Sequence, residues 1–90
     1  MIRLKRKPVP EPRNVHRLPA RWWGEECAQR LFAACPGASG ELIALSMVTG
    51  QERLTAHLAS ARPDHLAEAL TIYQGAYRDT WESLASEAMQ

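Results

Sequence analysis

The feature that most constrains this chain is its last stretch, DHLAEALTIYQGAYRDTWESLASEA from Asp64 to about Ala88. Leu66, Leu70, Tyr73, Tyr77, Trp81, Leu84 and Ala88 recur there at three- and four-residue steps, which places them on one winding face of an α-helix. At 1.5 Å per residue such a helix is about 37 Å long, more than short neighbours can cover. Ala69, Ile72 and Ala76 form a second, smaller stripe, and Gly75 beside Ala76 leaves room for another backbone. A helix with two apolar faces calls for neighbours on both. Asp64 is the expected cap.

The rest of the chain supplies smaller pieces. A first helix is expected from near Pro19 to about Ala34, ended by Cys35, Pro36 and Gly37. Ala20, Trp23, Cys27, Leu31 and Ala34 make its apolar stripe, widened by Trp22, Ala28 and Phe32. Adjacent helical residues point about 100° apart, so either both tryptophans belong to the core or Trp22 is an anchor for a partner. SGELIALSMVTG then reads as a short helix, capped by Ser39, stopped by Gly50 and apolar nearly all round, which makes it the segment expected to be most buried. QERLTAHLASAR reads as another, with Leu54, Leu58 and Ala61 on one face and Pro63 ending it. Helix, turn and helix invite comparison with a DNA-binding helix-turn-helix, but the second helix offers only Arg53, His57 and Thr55 as polar contacts, and Glu52 sits where phosphates would lie. The expected fold is all-α: a small bundle of three to four helices with a long C-terminal helix and an extended basic N-terminal arm, divided into residues 1–18 and a helical domain over residues 19–90.

Charge explains why the arm is set apart. The net charge of the 90 residues is only +1. Yet Arg3, Lys5, Arg6, Lys7, Arg13, Arg17 and Arg21 face Glu11 alone among residues 1–21, a net +6, while residues 22–90 carry −5. Pro8, Pro10 and Pro12 stiffen the arm into an extended, polyproline-like form and would break the amphipathic helix of a transit peptide. No apolar h-region follows the basic residues, so the arm reads as part of the mature protein. The longest strongly apolar run, residues 42–48, is far too short to span a bilayer.

The chemistry that the residues offer is sparse. Cys27 and Cys35, eight positions apart on or beside one helix, would be roughly 12 Å apart, beyond the reach of a disulfide. Two unpaired thiols suit a reducing cytoplasm. His57 and His65 flank a break at Pro63, and no CxxC, HxxxH or HExxH element anchors a metal. PGASGE at residues 36–41 lacks the lysine and preceding strand of a phosphate loop, and most carboxylates fall on outward faces rather than as a general acid and base pair. No catalytic, cofactor-binding or metal residue is therefore assigned, no small-molecule substrate is implied, and no enzymatic activity is expected.

That leaves recognition. The expected role is a non-enzymatic protein-protein interaction module, an adaptor, inhibitor or assembly factor acting through helix packing and an arm ordered on a partner, with self-association among its contacts. The alternative is a nucleic-acid-binding accessory protein whose arm supplies affinity through phosphates. Against it stand the acidic body and the lack of aromatic residues among the arm's charges. A small mobile-element or virion component fits either. The candidate partner-binding residues are Ile2, Arg3, Leu4, Lys5, Arg6, Lys7, Arg13 and Arg17 in and beside the arm, Trp22 where it meets the first helix, and Tyr73, Ala76, Tyr77 and Trp81 on the last.

Overall fold

The structure, a computed structural model, describes residues 13–89; the expectations placed on Ile2, Arg3, Leu4, Lys5, Arg6 and Lys7 lie outside the described residues. Within them the chain is an all-α bundle of three helices: α1 (Arg17–Ala34), α2 (Gly40–His57) and the long α3 (Pro63–Ala88). Contacts along the helices give their directions. Asn14 meets His65 and Glu68, Gly24 lies against Tyr73 and Tyr77, and Phe32 packs edge-to-face on Trp81 with ring centroids 5.4 Å apart. Both numbers rise together, so α1 runs parallel to α3. Ser46 pairs with Tyr77 and Gln51 with Gln74, so α2 runs antiparallel to both.

The two short helices expected over residues 39–50 and 51–62 are one. α2 passes through Gly50 without a break, and the helix-turn-helix comparison falls with the turn. Ser39 caps it as expected, its hydroxyl accepting from the Leu42 N–H at 3.2 Å. Glu41 in the first turn and His57 in the last suit the helix dipole. α2 ends at His57, before Pro63. That proline instead opens α3 at its first position, where its missing N–H costs no hydrogen bond. Asp64 does not cap α3; Arg62 occupies the cap position, and the Asp64 carboxylate takes both Arg62 donors at 3.1 Å. α1 starts at Arg17, two residues before Pro19, after a turn in which the buried Asn14 side chain accepts from the His16 N–H at 3.0 Å. Its amide donates to the His65 carbonyl at 3.0 Å and to Glu68 at 2.8 Å, which ties the start of α1 to the start of α3.

The buried ridge of α1 differs from the expected stripe. Ala20, Gly24 and Ala28, one per turn, are buried against α3, while Trp23 and Cys27 are half-buried and turn toward α2. A Cβ at Gly24 would stand 2.5 Å from the Tyr73 carbonyl oxygen, 2.9 Å from the Tyr77 nitrogen and 3.0 Å from the Ala76 Cβ. The α1 and α3 backbones therefore nearly touch. The close approach expected beside Gly75 happens here instead; nothing lies within 4 Å of a Cβ placed on Gly75. Ala69 is fully buried and Ala76 faces Gly24, so α1 of the same chain covers much of the second stripe.

Side-chain hydrogen bonds hold α2 in place. The Tyr73 hydroxyl donates to the Met47 carbonyl at 2.7 Å, Tyr77 to the Ser46 hydroxyl at 2.8 Å, Gln74 to Gln51 at 2.6 Å, and the Trp23 indole N–H to the Gly50 carbonyl at 3.1 Å. The apolar core consists of Leu54, Leu58, Tyr73 and Tyr77 with Ala20, Ala28 and Ala69. Leu54 and Leu58, at the C-terminal end of α2, are buried in it, whereas Ile43 and Met47 of the N-terminal half only pack against it, partly buried. The N-terminal half, expected to be the most buried segment, leaves Leu45 62% and Val48 53% exposed, because α1 and α3 are already joined to each other and α2 meets them along one side only. No helix among the described residues is long and apolar enough to cross a membrane.

Candidate functional site

Between α1 and α2, on the side away from α3, the chain forms an apolar groove of about 790 Å³. Because the helices are antiparallel, their side chains meet in order. Pro19 and Trp22 stand near Arg53 at one end, Cys27 lies beside Gly50 in the middle, and Leu31 and Ala34 approach Leu45 and Leu42 at the other. Trp22 is 59% exposed on the rim, whereas Trp23 turns its indole into the floor, stacks at 5.4 Å on His57 and spends its donor on Gly50. The two tryptophans thus divide between rim and floor, as their 100° separation allows.

The floor is tightly built. A Cβ at Gly50 would collide with the Tyr73 hydroxyl and sit 3.0 Å from the Cys27 sulfur. Glycine there leaves the space that the Tyr73 hydroxyl and the Cys27 sulfur occupy, so side chains from all three helices converge at this point. Burial pushes the Cys27 thiol above its ordinary range, against smaller lowering effects of the Tyr73 hydrogen bond and of Arg30 and Arg53. The thiol is therefore protonated near neutral pH and a poor nucleophile. Burial also raises the Tyr73 and Tyr77 phenols, so both remain neutral donors. On the walls, Glu26 and Arg30 pair at 2.9 Å one helical turn apart, and Arg53, from the facing helix, has no ion pair among the described residues. Such a surface can bind an apolar ridge between charged flanks.

The residues singled out in the sequence are scattered across this architecture. Trp22 lines the groove. Tyr73 and Tyr77 are fully buried, so their rings pack the chain's own core and are not open to a partner; Ala76 is likewise taken up against α1. Trp81 is half-buried against Phe32. Arg17 forms an exposed ion pair with Glu68 at 3.3 Å, and Arg13 is exposed. Sequence reasoning missed Leu42, Leu45, Glu26 and Arg30 as parts of a surface. The first two lie in a run apolar on every side, which offers no periodicity to show which face stays open. The Glu-x-x-x-Arg spacing of the other two was a readable sign of a charged flank. Compared with protein-family models, with curated proteins and with solved structures, the chain finds no match in any of the three.

Proposed function

We propose that this chain is a non-enzymatic protein-protein interaction module, an adaptor, inhibitor or assembly factor, which associates by helix packing at the α1–α2 groove and orders its basic N-terminal arm on a partner. The observation that carries this reading is the groove itself: Trp22, Leu42 and Leu45 are large apolar side chains left in water beside a preformed apolar floor. Such residues gain most of their free energy when a complementary surface covers them. A protonated thiol, and a carboxylate already held by Arg30, favour binding over catalysis at this place. Two free cysteines suit a reducing cytoplasm.

The test is affinity capture from native cells, with nuclease treatment, using the wild-type chain and Leu45→Glu. Leu45 is exposed, so the charge leaves the fold intact while it disrupts an apolar contact. The reading expects protein partners that survive nuclease and high salt and are lost with Leu45→Glu. Neutralising Arg3, Lys5, Arg6 and Lys7 decides the arm's part. Should nucleic-acid binding disappear with those charges, and fall with salt at a log-log slope of roughly 4, the nucleic-acid alternative replaces this one.

A further inference from the structure

We infer that the occupant of the α1–α2 groove is a second copy of this chain, docked about a two-fold axis that lies across the groove. The inference rests on the reading of the groove as an association surface and adds what fills it. A two-fold contact brings the same patch of two molecules together, so the patch must complement itself. The Glu26 and Arg30 charges do so, while the groove's remaining charge, Arg53, stands at its Pro19–Trp22 end. With the axis crossing α1 at the level of residue 28, the two α1 helices run antiparallel, and residue 26 of each faces residue 30 of the other. Glu26 then meets Arg30 of the second copy twice over, and each pair now formed within one helix at 2.9 Å gains an opposite charge across the interface.

The same axis matches sizes. Residue 22 faces residue 34, so the exposed Trp22 covers the small, exposed Ala34 of the second copy. Because Cys27 lies beside Gly50, the axis crosses α2 near Thr49. Leu45 then faces the aliphatic stem of Arg53, and Leu42 faces Ala56 of the second copy, both exposed in the single chain. The two hairpins form a four-helix layer with an α3 on each outer side. The need for such a cover is visible in the core: three of its seven buried apolar residues are alanines, while Trp22, Leu42 and Leu45 of the groove remain in water. A domain of this size gains little from so small a core, and a second copy is always at hand to enlarge it.

Sedimentation equilibrium of the full chain across the micromolar range tests the proposal. A concentration-dependent dimer is expected, and Leu45→Glu and Trp22→Ser should each leave a monomer with an unchanged helical circular dichroism spectrum. The charge test is more specific. Glu26→Arg and Arg30→Glu should each weaken the homodimer, since like charges then face each other. An equimolar mixture of those two variants should form a heterodimer, and the double variant should regain the homodimer. A purely intrahelical pair would give no such exchange. A wild-type chain that stays monomeric throughout, or a dimer indifferent to Leu45→Glu, Trp22→Ser and the charge reversals, overturns the proposal. If the monomeric chain still captures a partner that Leu45→Glu loses, the second copy is wrong and the groove stands as an interaction surface. If Leu45→Glu changes neither measurement, both readings fall.

Discussion

Gly24 and Gly75 both sit inside helices, yet exchanging each for alanine should have opposite effects. At Gly24 a Cβ would be driven to 2.5 Å from the Tyr73 carbonyl oxygen, a backbone atom that cannot swing aside. Overpacking of this kind costs about 1–3 kcal/mol and outweighs the roughly 0.8–1 kcal/mol that alanine gains in helix propensity. Gly24→Ala should therefore lower Tm by several degrees, with near-ultraviolet circular dichroism reporting loosened tyrosines. Gly75 has open space around it, so Gly75→Ala should raise stability by about 0.5–1 kcal/mol and Tm by a few degrees. A stabilised Gly24→Ala in thermal denaturation would mean that the two backbones do not touch. Neither sign is readable from the residue type. Gly75, next to Ala76 on an apolar stripe, looked in the sequence like the site of close approach, whereas contact depends on how α1 lies against α3.

At the scale of the helices, the sequence placed α1 and α3 to within two residues at each end and missed the unity of α2. Pro63 and the Cys35-Pro36-Gly37 stop mark boundaries that local backbone chemistry enforces. Gly50 was ambiguous, because glycine is permitted both as a helix stop and as a thin point inside a helix. The Tyr73 hydroxyl and the Cys27 sulfur chose the second use, through packing from residues more than twenty positions away. Gly50→Ala should consequently destabilise the protein in thermal denaturation, since the added Cβ displaces the Tyr73 hydroxyl from the Met47 carbonyl. Were Gly50 only a stop, alanine would extend the helix and raise Tm. Tyr73→Phe should cost about 1 kcal/mol in chemical denaturation, the net worth of a buried hydrogen bond to Met47.

Across the whole molecule, stability should depend on alkaline pH with a definite sign. Burial raises Cys27, Tyr73 and Tyr77, so in each case the folded chain holds its proton more firmly than the unfolded chain. Their contribution is fully present below the pH at which the unfolded thiol and phenols ionise, near 9.0 and 10.0. Above it the unfolded state loses protons that the folded state keeps, and stability falls as pH rises through the raised values. Urea midpoints measured from pH 8 upward should decline beyond about 9. Tyr73→Phe should flatten the fall above 10, where the phenol contributes. A midpoint that held constant through this range would show that the three groups are not buried together. The exposed ion pairs of Arg17, Arg21, Arg30 and Arg62 should matter far less, and added salt should shift the urea midpoint only slightly.

What the sequence by itself determined was local: that the body is helical, that Ser39 caps a helix, that Cys35-Pro36-Gly37 stops one, and that Tyr73 and Tyr77 share a face. Each follows from interactions within about one turn of backbone, which the residue order specifies directly. The tertiary structure decided which face of each helix is covered and which is left open. The Ala20-Gly24-Ala28 ridge draws α1 so close to α3 that α2 is left with one side to pack, and Leu42 and Leu45 face outward. Burial is a competition among surfaces for the same neighbours. An apolar run such as residues 42–48 carries equal claims on every side, so only the winning contact, made far along the chain at Gly24, settles which of its side chains form a core and which form the groove.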